Sequence, residues 1–426
     1  RLGELRVHDD RVPGPQDPCQ QHEGLGRARG EQDLARRAAV AGRDRGDRLP
    51  LVRVRREVGA ADALREPAGR PARPHVDREV DKAGNEVGVP VMGQVDVHPP
   101  TMPPLILVRV PAQSLRQRRA RATAFGLLAG VLLDRVAGDP RRGHPVALFG
   151  GVAGWLEARV WRDDRAAGAC YAALLAGAPA LLGLLPRRLS SPWLVTATAL
   201  GTWTVLGSRS LSAEAEAVAA HLRRGDLPAA REQLTHLVGR RTDTLDETEI
   251  ARATVESVAE NTSDAVVAPL LWGAAAGLPG LLAYRAVNTL DAMVGHHSPR
   301  YENFGWASAR ADDLANYLPA RLTAALTAVV APVAGGSGRG ALAVARADGR
   351  RHPSPNAGVA EAAFAGALGV RLGGRNDYRS HVEDRPVLGG AGRSPRADDI
   401  ARAARLSRAV TAAAAVACAA IALARG

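Results

Sequence analysis

The acidic residues between Thr254 and Asp264 are the first whose spacing could do chemistry. The stretch reads TVESVAENTSD, and on a helix Glu256, Glu260 and Asp264 fall at i, i+4 and i+8 along one face. Like charges at that spacing repel by about 0.2–0.5 kcal/mol per pair, so something must offset the cost. A hard divalent cation bridging to phosphate oxygens would do so, and Asn261 adds a neutral oxygen nearby. Glu256, Glu260 and Asp264 are therefore expected as metal ligands. The plain alternative is a solvated acidic face, which fits poorly because the apolar segment begins at Ala265.

Three further polar blocks follow. In YRAVNTLD, Arg285, Asn288 and Asp291 fall at i, i+3 and i+6, and an arginine beside an amide and a carboxylate suits an anionic substrate group. A helix-end cluster with an interfacial arginine is the competing reading. Arg310, Asp312, Asp313, Asn316 and Arg321 then surround the apolar Ala315, Tyr317 and Leu318, with Asp312 and Asn316 one turn apart. In RRHPSPNAGVAE, Pro353, Pro355 and Gly358 predict a fixed turn that displays His352, Ser354 and Asn356 ahead of a helix. The Gly-rich run Gly369 to Asn376 is expected as a loop whose N–H groups could approach phosphate. Asp139 and His144, in the turn GDPRRGHP, could join such a site or simply shape the turn. The chain has no Walker lysine, no G-x-G-x-x-G and no G-x-S-x-G.

The elements that must position these residues are apolar. Uncharged runs occupy Ala166–Pro186, Leu189–Ser208, Ala265–Tyr284, Leu322–Gly338 and Ala409–Ala424, and Ala122–Gly138 is apolar except for Asp134 and Arg135. Several match the roughly 20 residues a helix needs to cross about 30 Å of hydrocarbon. The expected fold class is all-α: a polytopic helical membrane protein with cytoplasmic helical loops, preceded by a disordered arginine-rich extension. If all six runs span, alternate loops carry 5 (139–165), 7 (208–264) and 13 (339–408) arginines, against 2 (187–191) and 4 (285–321) on the other side. That bias places the three larger loops in the cytoplasm of a multi-pass protein of the cell membrane. It also puts the polar stretch 285–321 outside. The prolines and glycines of 269–280 offer another solution, a broken or re-entrant segment. Between Leu211 and Thr248 the pattern is that of an amphipathic helical hairpin without a motif.

Composition divides the 426 residues in two. All six Trp, five Tyr and four Phe lie after residue 121, and residues 1–121 lack the large side chains that offset ordering entropy. The expected division is a disordered extension over 1–121, either a misread gene start or a genuine arm, and a membrane domain over 122–426. The formal net charge of +12 does not point to nucleic acid: 55 of the 56 basic residues are arginine, and no basic stripe is interleaved with aromatics. Three scattered cysteines make neither a disulfide framework nor a zinc site.

Together, in order, the polar blocks resemble the CobD/CbiB family of cobalamin biosynthesis. The resemblance runs from LLDRVAGDPRRGHPVALFG (Leu132 to Gly150) through TVESVAENTSDAVVAPLLW (Thr254 to Trp272) and the block Tyr284 to Ala324, and ends with HPSPNAGVAEAAFAGALGVRLGG (His352 to Gly374). It covers nearly all of 124–426 and none of 1–121. The resemblance implies adenosylcobinamide-phosphate synthase activity. In that reaction adenosylcobyric acid is joined through an amide to aminopropanol phosphate, or to ethanolamine phosphate, at the expense of ATP. On that reading Glu256, Glu260 and Asp264 hold Mg²⁺ and ATP with help from Asn261, and Arg285 and Arg321 bind phosphate. Asn288 lies beside them, Asp291 receives the amine's proton, and His352 and Asn356 position substrate. Other membrane proteins of cobalamin assembly are expected as partners. Two rivals remain, a non-catalytic membrane sensor of similar fold and a corrinoid transporter; the retained acidic face speaks against the first, and the lack of a charged path within the apolar runs against the second.

Overall fold

The computed structural model describes residues 114–139, 144–296, 298–378 and 381–426, and the expected disorder of 1–121 therefore falls almost wholly outside the described residues. Its last part does not: α1 (Leu115–Ala137) starts inside that stretch, opened by a capping box in which Ser114 and Gln117 satisfy each other's backbone N–H. Helices then follow in close succession: α2 (Pro145–Val160), α3 (Arg165–Leu182), α4 (Ser191–Val205), α5 (Ser208–Arg223), α6 (Leu227–Leu234) and α7 (Glu247–Thr262). A π-helical turn, Ser263–Val267, joins α7 to α8 (Ala268–Ala276). Beyond it lie α9 (Leu278–Val294), α10 (Trp306–Val330), α11 (Gly338–Asp348) and α12 (Ala357–Leu368). An antiparallel hairpin of β1 (Leu372–Tyr378) and β2 (His381–Leu388) precedes the closing helix α13 (Ala397–Ala424).

These elements bury two main cores, and α13 runs through both. Ala397, Ile400, Ala403 and Leu406 pack with α5, α6, α7, α12 and the hairpin, around Val218, Leu234, Ile250, Phe364 and Leu388. One to four turns further on, Val410, Ala414, Cys418 and Ala422 pack with Leu127, Val267, Leu270 and Leu281. The three-or-four-residue recurrence of these positions is what an amphipathic helix requires. A smaller core joins α2, α3 and α9 through Ala153, Tyr171, Leu290 and Phe304. Helices α1 and α4 approach through glycine: a methyl group added at Gly126 or Gly130 would collide with Thr198 or Thr202. Such a G-x-x-x-G face lets helix backbones close where lipid, rather than water, is the solvent.

Among the described residues, three helices are long and apolar enough to cross a membrane: Arg165–Arg188, Trp306–Ala334 and Ala397–Ala424. Two of the remaining apolar runs fall short of that length for geometric reasons. The run Leu189–Ser208 yields only the 15 residues of α4. The run Ala265–Tyr284 turns back at Gly277, whose φ of 71° ends α8 and opens α9. Helices that miss the length criterion still expose large apolar side chains, among them Phe125 and Leu132 of α1, Trp155 of α2 and Trp193 of α4.

The turn at Gly277 also undoes the loop alternation. Residues 139–165 and 285–321, placed on opposite sides by arginine counting, are bonded to each other: the Trp161 indole donates to the Arg300 carbonyl (3.2 Å), and Arg300 and Tyr301 reach Glu157 at 3.1 and 2.7 Å. The hairpin α5–α6 stands where an amphipathic pair was expected. The Gly-rich run does not form a phosphate-cradling loop, since residues 372–376 are strand β1, with a bulge between Leu372 and Gly374.

Candidate functional site

The polar blocks meet where the π-turn, α9, the first half of α10 and the turn before α12 converge. A continuous chain of hydrogen bonds joins three of them. Arg285 Nη1 donates to Asn288 Oδ1 (3.3 Å), and the Asn288 amide donates to Asp312 Oδ1 (3.3 Å). Asn316, one helical turn on, donates to Asp312 Oδ2 at 2.9 Å. The buried Tyr284 hydroxyl lies 2.8 Å from Asn316 Oδ1 and 2.9 Å from the Asp264 carbonyl, so α9, α10 and the π-turn are fixed against one another. The fourth block enters through Asn356, which is almost fully buried. Its carbonyl accepts from Arg321 Nη1 (2.7 Å), and its amide donates to the Asp313 carbonyl (2.7 Å). The Arg321 guanidinium is held on its other side by the Tyr317 ring, 3.8 Å away.

Carboxylates collect around this scaffold. Asp264 lies within the electrostatic reach of Asp312, Glu260 and Asp291, and Glu260 in turn acts on Asp312, His352 and Glu361. Glu260 is half-buried and makes no hydrogen bond or ion pair among the described residues. Asp291 is folded toward Gly295, where its carboxylate occupies the space a Cβ would need. Asn261 turns its amide back to Ser257, at 2.9 Å from the carbonyl and 3.2 Å from the hydroxyl. The structure thus brings together Glu260, Asp264, Arg285, Asn288, Asp291, Arg321, His352 and Asn356.

Glu256 is the exception. Its carboxylate is not open to the site but latches the β-hairpin to α7: Arg240 pairs with one carboxylate oxygen and the Gly373 N–H donates to the other at 2.8 Å. Arg240 also reaches Asn376, and Arg252 donates to the carbonyls of Gly373 and Arg375. Burial pushes Glu256 toward its neutral form, but the guanidinium groups of Arg240 and Arg252 outweigh it and hold the carboxyl below its usual range. Its expected role as a metal ligand is corrected on this ground, since both oxygens are engaged. The reason is helical arithmetic. Eight residues at 100° each leave an offset of about 80°, so i and i+8 share a face only loosely. The π-turn after Thr262 breaks the regular 100° step before Asp264, so α-helical spacing no longer sets its direction.

Two residues outside the expected set complete the site. Asp312 is its central acceptor, visible in the sequence only as the partner of Asn316 one turn away. Glu361 is a lone acid in the otherwise apolar AGVAEAAFAGAL of α12, and that isolation was its sequence signal. It is 1% exposed, and its Oε1 atom lies 3.9 Å from His352 Nε2. Neither atom has a hydrogen-bond partner. Burial, and then the neighbouring Glu256 and Glu260, push the Glu361 carboxyl well above the ordinary range. Burial, and then Arg385, keep His352 below the usual imidazole value. His352 Nδ1 accepts from the Ser354 N–H (3.0 Å), which assigns the neutral ring's proton to Nε2. His144 caps α2 through the Val146 N–H (3.2 Å), a structural role in the turn where Asp139 also lies.

The comparisons with known proteins decide the lineage. A family model described as CobD/Cbib protein matches residues 127–407. The chain belongs to the CobD/CbiB family. It is 55% identical over 294 residues to "Cobalamin biosynthesis protein CobD" of Mycobacterium tuberculosis, an alignment covering 69% of this chain and 94% of that protein. Proteins of the same name from Geobacter metallireducens and Rhodobacter capsulatus are 50% and 43% identical. Those alignments cover 62% and 66% of this chain and 85% and 92% of the relatives. No solved structure matches. As a CobD/CbiB protein the chain belongs to cobalamin biosynthesis, and the matched residues contain every element of the site.

A metal that the family reading implies can be tested against this donor set. Among the described residues no three His, Cys, Asp or Glu side chains form a closed ligand group. What stands here is Glu260 without a partner, with Asp264 and Asp312 close enough to repel it. That suits magnesium, which is held by one or two carboxylates and completed by water and substrate phosphate, rather than an all-protein cage.

Proposed function

We propose that this chain is an adenosylcobinamide-phosphate synthase: an ATP-dependent ligase that joins adenosylcobyric acid to aminopropanol phosphate or ethanolamine phosphate. The observation that carries the reading is the convergence of Glu260, Asp264 and Asp312 with Arg285 and Arg321 in a CobD/CbiB protein. A substrate carboxylate is a poor acyl donor and requires activation. Magnesium and ATP, when bound, would supply a phosphoryl group that makes that carboxylate an acyl donor, with inorganic phosphate as the group the amine would displace.

The residues divide the work. Glu260, Asp264 and Asp312 are the groups that would hold the cation, and the amides of Asn288 and Asn316 keep Asp312 aimed. Arg321, pre-set by Asn356 and Tyr317, and Arg285, pre-set by Asn288, neutralise phosphate oxygens and the charge that develops during transfer. An ammonium must lose a proton before it attacks, and Asp291, beside Asp264, is the acceptor assigned to it. His352, neutral and donating through Nε2, and Asn356 position the substrate from their turn. Asn261 is too tied to Ser257 to be more than an outer support.

The reading is tested with membranes that contain the full chain, supplied with magnesium, ATP, adenosylcobyric acid and either amino alcohol phosphate. Mass spectrometry should find the corrinoid amide and equimolar ADP. Inserted protein that yields neither product with either amine would point to a non-catalytic relative.

A further inference from the structure

Beside the carboxylate site lies a cavity of about 390 Å³ that the roles above leave unused. It opens where α3 and α10 begin, and its walls mix charges of both signs. Arg165, the first residue of α3, lies with its guanidinium 5.5 Å from the centre of the Trp306 ring. Arg310 and Asp313 face each other at 3.7 Å, beyond hydrogen-bond distance, so each keeps capacity for a ligand. Glu302 adds a second carboxylate and Pro353 closes the wall. The cavity adjoins the reaction site through chain neighbours: Asp313 follows Asp312, and Pro353 follows His352.

We infer that this cavity receives the amine substrate as a zwitterion, with its phosphate on Arg165 and Arg310 and its ammonium toward Asp313 and Glu302. The inference rests on the ligase reading and deepens it by giving the amine component a place of its own. Two arginines with two carboxylates disfavour a purely anionic ligand such as a nucleotide, which the acids would repel, and a bare cation, which the arginines would repel. A small molecule carrying both charges complements walls of both signs. The position also suits the reaction, because Asp313 lies close enough to Asp312 to act on its carboxyl electrostatically. Two of the three candidate spans, Arg165–Arg188 and Trp306–Ala334, begin here, and the same chemistry, a phosphate with an amine, is also presented by the headgroup of an aminophospholipid.

The full chain in detergent is titrated with ethanolamine phosphate, inorganic phosphate and ATP, as wild type and as Arg165→Gln and Arg310→Gln. Ethanolamine phosphate should bind wild type more tightly than inorganic phosphate does, and each variant should weaken it by about tenfold, as loss of one charge-assisted bond would. In the ligation assay each variant should raise KM for the amine component and leave KM for ATP unchanged. Equal binding of inorganic phosphate, or variants with unaltered affinity and KM, would overturn the inference. The titration is repeated in nanodiscs with and without phosphatidylethanolamine: unchanged affinity supports a soluble substrate, and displacement by the lipid would assign the cavity to a headgroup instead. Arg165→Lys, which keeps the charge over Trp306, separates lost binding from lost folding and should retain more affinity than Arg165→Gln. Wild type that binds ethanolamine phosphate but forms no amide would refute the ligase reading and leave the binding site standing.

Discussion

Asn356 shows how single residues hold this site together. It accepts from Arg321 and donates to the Asp313 carbonyl, so one buried amide sets both the Arg321 guanidinium, proposed to bind phosphate, and the path of α10. Asn356→Ala leaves a buried carbonyl without its donor and should cost about 1–3 kcal/mol, read as a lower melting temperature in detergent. It should also reduce turnover, because Arg321 loses its aim. Glu361 gives a prediction of opposite sign. Its folded-state pKa is raised, so the protonated carboxyl is the favoured form, and its contribution to stability is present below the ordinary carboxylate value and lost as pH rises through the folded value. Glu361→Gln mimics the protonated form. Melting temperatures measured from pH 5 to pH 8 should fall less with rising pH in that variant than in wild type, and an unchanged slope would show that Glu361 is ionised at neutral pH.

At the scale of elements, the latch between α7 and the β-hairpin depends on Glu256. Its carboxyl is held below the usual range, so the stability it contributes is present above the ordinary carboxylate value and lost as pH falls through the folded value. Glu256→Gln should therefore speed hydrogen exchange of the β1 amides, and wild type should show the same loosening under acid; protection of residues 372–378 unchanged by the substitution would remove Glu256 from that role. This residue also marks where the sequence stops being legible. The polar blocks could be read because they are dense and regularly spaced on helices, and Asp264, Arg285, Asn288 and Asn356 do lie together. Glu256 could not, because its partners Arg240 and Gly373 are 16 and 117 residues away and a helical face drifts over two turns. Apolar runs foretold where helices are, but not that Gly277 folds one run back on itself. The G-x-x-x-G of α1 was in plain view, yet its meaning depends on Thr198 and Thr202 of a helix more than sixty residues further on.

Across the whole molecule, α13 ties a water-facing type of core, rich in charged surface helices, to a core of apolar helices that expose leucine and tryptophan outward. The residues proposed to carry the reaction, Glu260, Asp264, Arg285 and Asp312, lie on α7, the π-turn, α9 and α10. Residues 1–113 lie outside the described residues, and they lack aromatics. Removing them up to Ser114, whose capping box opens α1, should leave ligation unchanged, whereas removal to residue 120 deletes the first turns of that helix; both are checked by product formation per inserted protein. The most direct test of the account compares Glu260→Gln with Glu256→Gln in single-turnover ligation, scored as corrinoid amide per correctly inserted protein. The account predicts product near background for Glu260→Gln and readily detected product for Glu256→Gln at a temperature where it stays folded. Wild-type turnover in Glu260→Gln would contradict it, because the partnerless carboxylate at the centre of the site would then have no part in the chemistry.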